Sequence, residues 1–457
     1  MVLRPKTKPK NNKPLPLIHP DAAGIDIGAS SHFVAIPADR DENPVQEFQC
    51  FTHDLHRLKN WLIEHHITTV AMESTGIYWI PLYELLEEAG FEVKLINARH
   101  VSNVPGRKTD VLDCQWIQRL HSYGLLQGAF QPTQDIAPLR AYTRHRENWI
   151  RYAGIHIQHM QKALRLMNLN LDQVVSDITG VTGMKIIDAI IEGEHDPYLL
   201  ARYRDVRCKK TDEEIAQALD GHYRTEHLFS LRQARDTYLF YHQQIAECDQ
   251  KLEAFLASLN TETSPELMGQ VLPKVPKPRG NAPAFDLRTD LFHLTGVDLT
   301  SIDGINSLTA LKVLSETGID MTQWGNSKQF CSWLGLSPGS KISGGKNMSG
   351  KTKRTANRAA AALRISAQSL SNSKSALGAF YRKKRYHLGA AKAITATAHK
   401  LARIIYSLLT HGTTYVDPGE NAYEEKYQQR ICQNLKQKAK KMGCILVSIE
   451  TGEEITI

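Results

Sequence analysis

Between Asp320 and Asp417 lie 96 consecutive residues without one Asp or Glu, and they carry sixteen Lys or Arg, from Lys328 to Arg403. A domain built from such a stretch folds around a positive field that it cannot cancel from within, so it requires an outside polyanion. Phosphate backbones are the commonest one. The whole chain, with 56 basic and 48 acidic residues, nets +8, so the remainder sums to 8 − 16 = −8. A face kept basic for solubility alone would intersperse both signs. Nucleic acid is therefore the expected partner.

The 457 residues exceed what one core usually holds and predict about two to four domains. Hydrophobic residues at 42% and charged residues at 23% are ordinary globular values, which sets aside disordered, collagen-like and disulfide-scaffold classes. No apolar run reaches the ~18 residues that span a bilayer. The basic, proline-rich start (Arg4, Lys6, Lys8, Lys10, Lys13) lacks the apolar region of a signal peptide. Seven cysteines, none in a C-x-x-C pair, argue against a disulfide framework or a cysteine-rich zinc site. A soluble, cytoplasmic protein without a membrane partner is expected.

Residues 1–19 read as a disordered basic tail. Residues 20–130 alternate strands with helices: a hairpin over 22–36, a helix over 54–66, a strand over 68–73, a helix over 80–89, a strand over 91–96 and a helix over 110–121. That order predicts an α/β domain. Residues 131–270 carry two long helical patterns, 136–178 and 212–259, joined by a Gly- and Pro-containing link, 180–197. They predict an antiparallel coiled coil and a route to dimers. Residues 271–284 read as a linker and 285–416 as a mostly helical C-terminal domain. The extension, 417–457, has a helix over 424–442 and a short strand over 445–449.

Four acids fall where an unpaired carboxylate is costly or where two face one way. Asp26 sits mid-strand in Gly-Ile-Asp-Ile-Gly, and Glu73 ends the strand Val70-Ala71-Met72. Asp110 and Asp113, three apart, share one helix face. Singly, Asp110 could serve the helix dipole and Asp113 could pair with Arg107 or Lys108. Together, converging acids repel unless a divalent cation lies between them, and Mg²⁺ or Mn²⁺ prefers such an all-oxygen shell. A two-metal phosphodiester site is the predicted chemistry.

The string from Gly345 to Thr352 formally matches the G-x-x-x-x-G-K-[ST] phosphate loop. The residues before it form a polar loop instead of a buried strand, and no nearby acid could hold Mg²⁺, so ATP or GTP binding is not expected. Its glycines and cations suit a flexible loop approaching nucleic-acid phosphates, through Lys341, Lys346, Lys351, Lys353, Arg354 and, at the helix that follows, Arg358. Ile302-Asp303-Gly304-Ile305-Asn306 is similar to a helix-hairpin-helix turn, with Asn306 expected to take the positive φ of a second glycine. Arg382, Lys383, Lys384 and Arg385, among Phe380, Tyr381 and Tyr386, mix cations with stacking rings.

The acids in the strings GIDIG, AMESTGIYW and RKTDVLDCQW, followed by SIDGINSLTA, FCSWLGLSP and KISGGK, resemble the DEDD transposases of the insertion sequence 110 family over residues 20–412. The resemblance implies a RuvC-like, ribonuclease H-like first domain whose Asp26, Glu73, Asp110 and Asp113 bind Mg²⁺. It implies a dimerising helical segment, with a homodimer or tetramer as the assembly. It also implies that Ser343, in Ile342-Ser343-Gly344-Gly345, attacks DNA to form a covalent phosphoserine linkage, its site completed by another subunit's acids. A structured guide RNA encoded by the element would direct the reaction at the nucleoid. From the residues alone Ser337, Ser340 and Ser349 are equally available. The expected activity is that of a DNA recombinase mobilising its own element. The alternatives are a hydrolytic RuvC-like junction nuclease and a non-catalytic nucleic-acid-binding protein.

Overall fold

A computed structural model of the chain describes residues 16–96, 110–260, 280–339, 341–344, 346–353 and 355–447, with residues 272 and 449 besides. The chain divides into two compact units, 1–131 and 132–457. Most of the tail and the linker, with Arg107, Lys108, Ser340 and Arg354, lie outside the described residues. No helix among the described residues is long and apolar enough to cross a membrane.

The first unit is a five-stranded sheet with helices on both faces. Strands β1 (Ala22–Ile27), β2 (Ser31–Ala35) and β3 (Val45–Gln49) form an antiparallel meander, while β4 (Thr69–Glu73) and β5 (Glu92–Ile96) join β1 in parallel, giving the order β3-β2-β1-β4-β5. The β3 strand, partly exposed and polar at alternate positions, was not expected from the sequence. Alternation along β1 and β4 decides the layers. Ala23, Ile25, Ile27, Val70 and Met72 point into one core with Leu58, Leu62, Leu82 and Leu86 of helices α1 (Thr52–Glu64) and α2 (Ile80–Glu88). Gly24, Asp26, Ala71 and Glu73 therefore point to the opposite face. That face is covered by α3 (Asp110–Ser122), whose Ile117 packs with Ala71 and Ile96.

Gly24 lets α3 come down onto the sheet. A Cβ there would lie 2.2 Å from the Gln118 backbone nitrogen and 2.4 Å from the Cys114 carbonyl oxygen, so strand and helix meet backbone to backbone. Gln118 Nε2 donates to the Ala22 carbonyl at 3.2 Å and holds the seat. At the chain's entry, the backbone N–H groups of Ile18 and His19 already donate to the Ser122 carbonyl.

The second unit is built on two long helices, α4 (Ala137–Leu166) and, after α5 (Leu171–Val174), α6 (Val181–Glu192), α7 (Pro197–Ala201) and α8 (Asp212–Leu219), α9 (Thr225–Leu259). The expected link over 180–197 is instead mostly helical. Ile186, Ile187 and Ile190 of α6 are fully buried, so an apolar stripe at helical spacing overrides the punctuation of Gly180 and Pro197. Near the other end of the pair Arg146 and Asp249, both buried, form an ion pair, and Arg146 also donates to the Asn281 carbonyl at 2.8 Å. Arg144 grips Glu316 through two bonds of 2.8 and 2.7 Å, tying α4 to the helix Ser307–Thr317 of the C-terminal part.

That C-terminal part contains α10 (Leu287–Thr295), α11 (Ser307–Thr317), α12 (Ser327–Trp333), a hairpin of β6 (Lys341–Ser343) and β7 (Lys346–Ser349), then α13 (Arg358–Ser369), α14 (Ala376–Leu388), α15 (Ala390–His411) and α16 (Gly419–Lys441). The string over 445–449 forms no regular strand among its described residues. Asn306 corrects an expectation: its φ is −99°, and its side chain accepts the Thr309 N–H as the cap of α11. The positive φ of that turn belongs to Gly304 (+84°), where a Cβ would crowd the Ser366 carbonyl at 3.0 Å.

Two changes test this packing. Gly24→Ala forces backbone apart and should cost about 1–3 kcal/mol, read as a lowered melting temperature by circular dichroism. Asp249→Ala leaves the Arg146 charge buried without its partner and should cost about 3–5 kcal/mol, read by urea denaturation.

Candidate active site

The parallel register Ala22↔Thr69 to Ile25↔Met72 continues to Asp26 beside Glu73, so the two carboxylates emerge together from the face under α3. The close seat at Gly24 fixes α3 across β1, and its first turn presents Asp110 and Asp113 to the same place. The turn after Glu73 is held by the Ser74 N–H bonded to the Ile96 carbonyl at 3.0 Å and by Thr75 Oγ1 donating to Glu73 at 3.4 Å.

The electrostatics follow from that convergence. Burial, then repulsion from Glu73, Asp110 and Asp113, push the Asp26 carboxyl up to about 6, against the Ile27 N–H that lowers it. Asp26, Asp110 and Asp113 have no ion pair among the described residues. Burial, with the charges of Asp26 and Asp113 adding, pushes the neighbouring Cys114 thiol up to about 12, which keeps it neutral at ordinary pH. Among the described residues no three His, Cys, Asp or Glu side chains stand close enough to clasp a metal ion as placed. The donors nevertheless suit one: all are carboxylate oxygens whose repulsion of Asp26 a hard divalent cation would relieve.

The structure gives Ser343 a definite setting. It ends β6, pairs with Lys346 across a turn where Gly344 has φ +57°, and is exposed. Its hydroxyl has no hydrogen-bond partner among the described residues. The expected flexible loop is thus a β-hairpin, rooted by the Gly339 N–H bonded to the Lys351 carbonyl at 2.9 Å and by the bridge of Pro338 to Thr352. The hairpin also disposes of the phosphate-loop match, since Lys346–Ser349 is a strand and the next helix starts only at Arg358.

Several of the basic residues have acidic partners within the fold. Lys351 and Lys353 are exposed, whereas the side chains of Lys341 and Lys346 lie outside the described residues. Arg358 pairs with Glu147 at 3.0 Å. Arg382 pairs with Glu420 at 2.6 Å and donates to the carbonyls of Ser371 and Ser373, while Lys383 pairs with Glu424 at 2.8 Å. Lys384 lies over the Phe380 ring at 5.6 Å, Arg385 is exposed, and Tyr381 is buried in the core. The expectation that the acid-free stretch has no internal counter-charge is therefore corrected. Acids of α4 and α16, distant in sequence, neutralise part of it.

Residues 23–169, which hold all four acids, match a transposase model of the DEDD IS110 type, and residues 298–382, which hold Ser343, match the Transposase IS116/IS110/IS902 family. An α/β sheet carrying clustered acids, followed by a mostly helical remainder, is thus the frame of a transposase, an enzyme class that cuts and rejoins DNA. The chain belongs to the IS110 family of insertion-sequence transposases. No curated protein matches it.

The raised Asp26 pKa gives a pH test. From about pH 4 to 6 the unfolded chain ionises at Asp26 before the folded one does, so this residue draws stability away as pH rises, and the loss is complete above about 6. In chelator, Asp26→Asn should match wild type near pH 4 and melt higher at pH 8, by about 1–2 kcal/mol for a half-buried group. Melting curves across that range read the difference.

Proposed function

We propose that this transposase mobilises its own insertion sequence by DNA strand cleavage and exchange through a covalent phosphoserine intermediate. The convergence of Glu73, Asp110 and Asp113 on Asp26 carries the reading, because acids that repel one another at a strand end are costly unless their task is to hold a cation. We infer a RuvC-like, ribonuclease H-like first domain, which the strand order β3-β2-β1-β4-β5 supports.

Asp26, Glu73, Asp110 and Asp113 would hold Mg²⁺ or Mn²⁺, which when bound supplies Lewis-acid stabilisation of charge on the scissile phosphate. Ser343 supplies the nucleophile. Its Oγ–P bond forms as the P–O bond to one deoxyribose oxygen breaks, and that oxygen takes up the proton the serine gives up. The phosphodiester energy is kept in the serine ester, so a second DNA hydroxyl can reverse the step and join a new strand. Exposure at the hairpin tip lets Ser343 reach a phosphate without unfolding its surroundings. Lys351 and Lys353 add positive charge on the following segment. A structured guide RNA of the element selects the DNA, and the enzyme works as a homodimer or tetramer.

The test is to incubate the protein with end-labelled DNA carrying the element's ends, Mg²⁺ and co-expressed RNA, then denature it. Label should migrate with wild type and with Ser349→Ala, but not with Ser343→Ala, whose melting temperature should match wild type because one exposed oxygen is removed. Cutting by wild type without trapped label would assign the site to a hydrolytic nuclease.

A further inference from the structure

The C-terminal part separates cations that have internal partners from cations that do not. Arg358, Arg382 and Lys383 have theirs in Glu147, Glu420 and Glu424. Lys400 and Arg403 on α15, and Arg430 on α16, form no ion pair among the described residues. Lys400 is half-buried, its ammonium lying 4.6 Å from the Phe380 ring and 5.5 Å from the Tyr423 ring, so the side chain is fixed between aromatic faces. Burial first, then the charge of Arg430, pushes the Lys400 ammonium below its usual range, with Arg403 adding and Asp417 opposing. Asp417 accepts from the Ala376 N–H at 3.1 Å and is the one acid among the described residues acting on Lys400, against the two cations Arg403 and Arg430. Beside these residues opens a pocket of about 720 Å³ whose walls include Lys400, Arg403, Tyr406, His411 and Tyr415. Apart from Ser327, the residues that line it lie outside residues 23–169 and 298–382, the stretches that the family models match.

We propose that this pocket holds a backbone phosphate of a nucleic acid, gripped jointly by Lys400 and Arg403, with Arg430 of α16 adding its charge from the C-terminal extension. A lysine fixed between two rings, the exposed Arg403 and the nearby charge of Arg430 outnumber the single carboxylate of Asp417, and that excess describes an anion site. Tyrosine walls suit the sugar or base attached to that anion better than they suit a bare ion. The inference rests on the nucleic-acid reading above and gives it an anchoring point that the hairpin and the acids do not supply.

The full-length protein is titrated with fluorescent duplex DNA and, separately, duplex RNA of random sequence over a range of salt. Wild-type log K should fall linearly with log salt, and for DNA each phosphate that is no longer neutralised should flatten that line by about 0.9. Because one phosphate is shared, Lys400→Gln, Arg403→Gln and their double variant should each flatten the DNA slope by about that same single step. Arg430→Gln, on an exposed helix where folding is not at issue, should weaken binding, and Lys400→Arg should restore the wild-type slope. An effect with only one of the two duplexes assigns the pocket to that polymer. The proposal is overturned by an unchanged slope in the double variant while Lys353→Gln flattens it, by an additive loss in the double variant, or by protection of Lys400 from acetylation with inorganic phosphate but not with either duplex. A wild-type affinity that ignores salt would instead remove the nucleic-acid reading itself.

Discussion

The contact between α3 and β1 at Gly24 is the constraint on which the acidic site depends. A helix that crosses a strand at ordinary distance has a layer of side chains between them; here that layer is missing at Gly24, where the Gln118 nitrogen lies 2.2 Å from the place a Cβ would take. The acids at the start of α3 are thereby drawn toward the strand carrying Asp26, and β4 in register sets Glu73 beside it. Repulsion among the four is the cost of this arrangement. The apolar core on the other face, from Ile25 through Leu58, Met72 and Leu86, holds the sheet in shape against it.

Most of this was legible in the sequence, for reasons that can be given residue by residue. Strands such as Thr69–Glu73 and helices such as Ile80–Glu88 follow directly from apolar period and length, so the α/β order and the four acids came forward together. What stayed hidden depended on partners far along the chain. Gly24 reads as one more strand glycine until Cys114 and Gln118 are placed against it. Asn306 could equally take a positive φ or cap a helix, and only the helix beginning at Ser307 decides for the cap. In β3 the sequence Val-Gln-Glu-Phe-Gln buries Phe48 alone, too weak an alternation to mark a strand.

Charge shows the same limit. An acid count along 96 residues treats a segment as if only its own side chains could answer its field. In the fold, Glu147 meets both Lys312 and Arg358, and the first turns of α16 bring Glu420 and Glu424 to Arg382 and Lys383. Part of the positive excess is therefore structural, joining helices to one another. The cations left over, not the total, mark where an outside polyanion can be received.

The α4–α9 pair has a mechanical consequence. At about 1.5 Å per residue, the stretch from Arg144, which grips Glu316, to Leu164, inside the core formed with α6 and α8, runs about 30 Å. The Arg146–Asp249 pair fixes the register of the two helices, because sliding one past the other by a turn would strand both charges. Two helices that cannot slip behave as a stiff lever: a displacement imposed at the distal core is carried to α11 with little loss, and bending, not shear, is its softest motion.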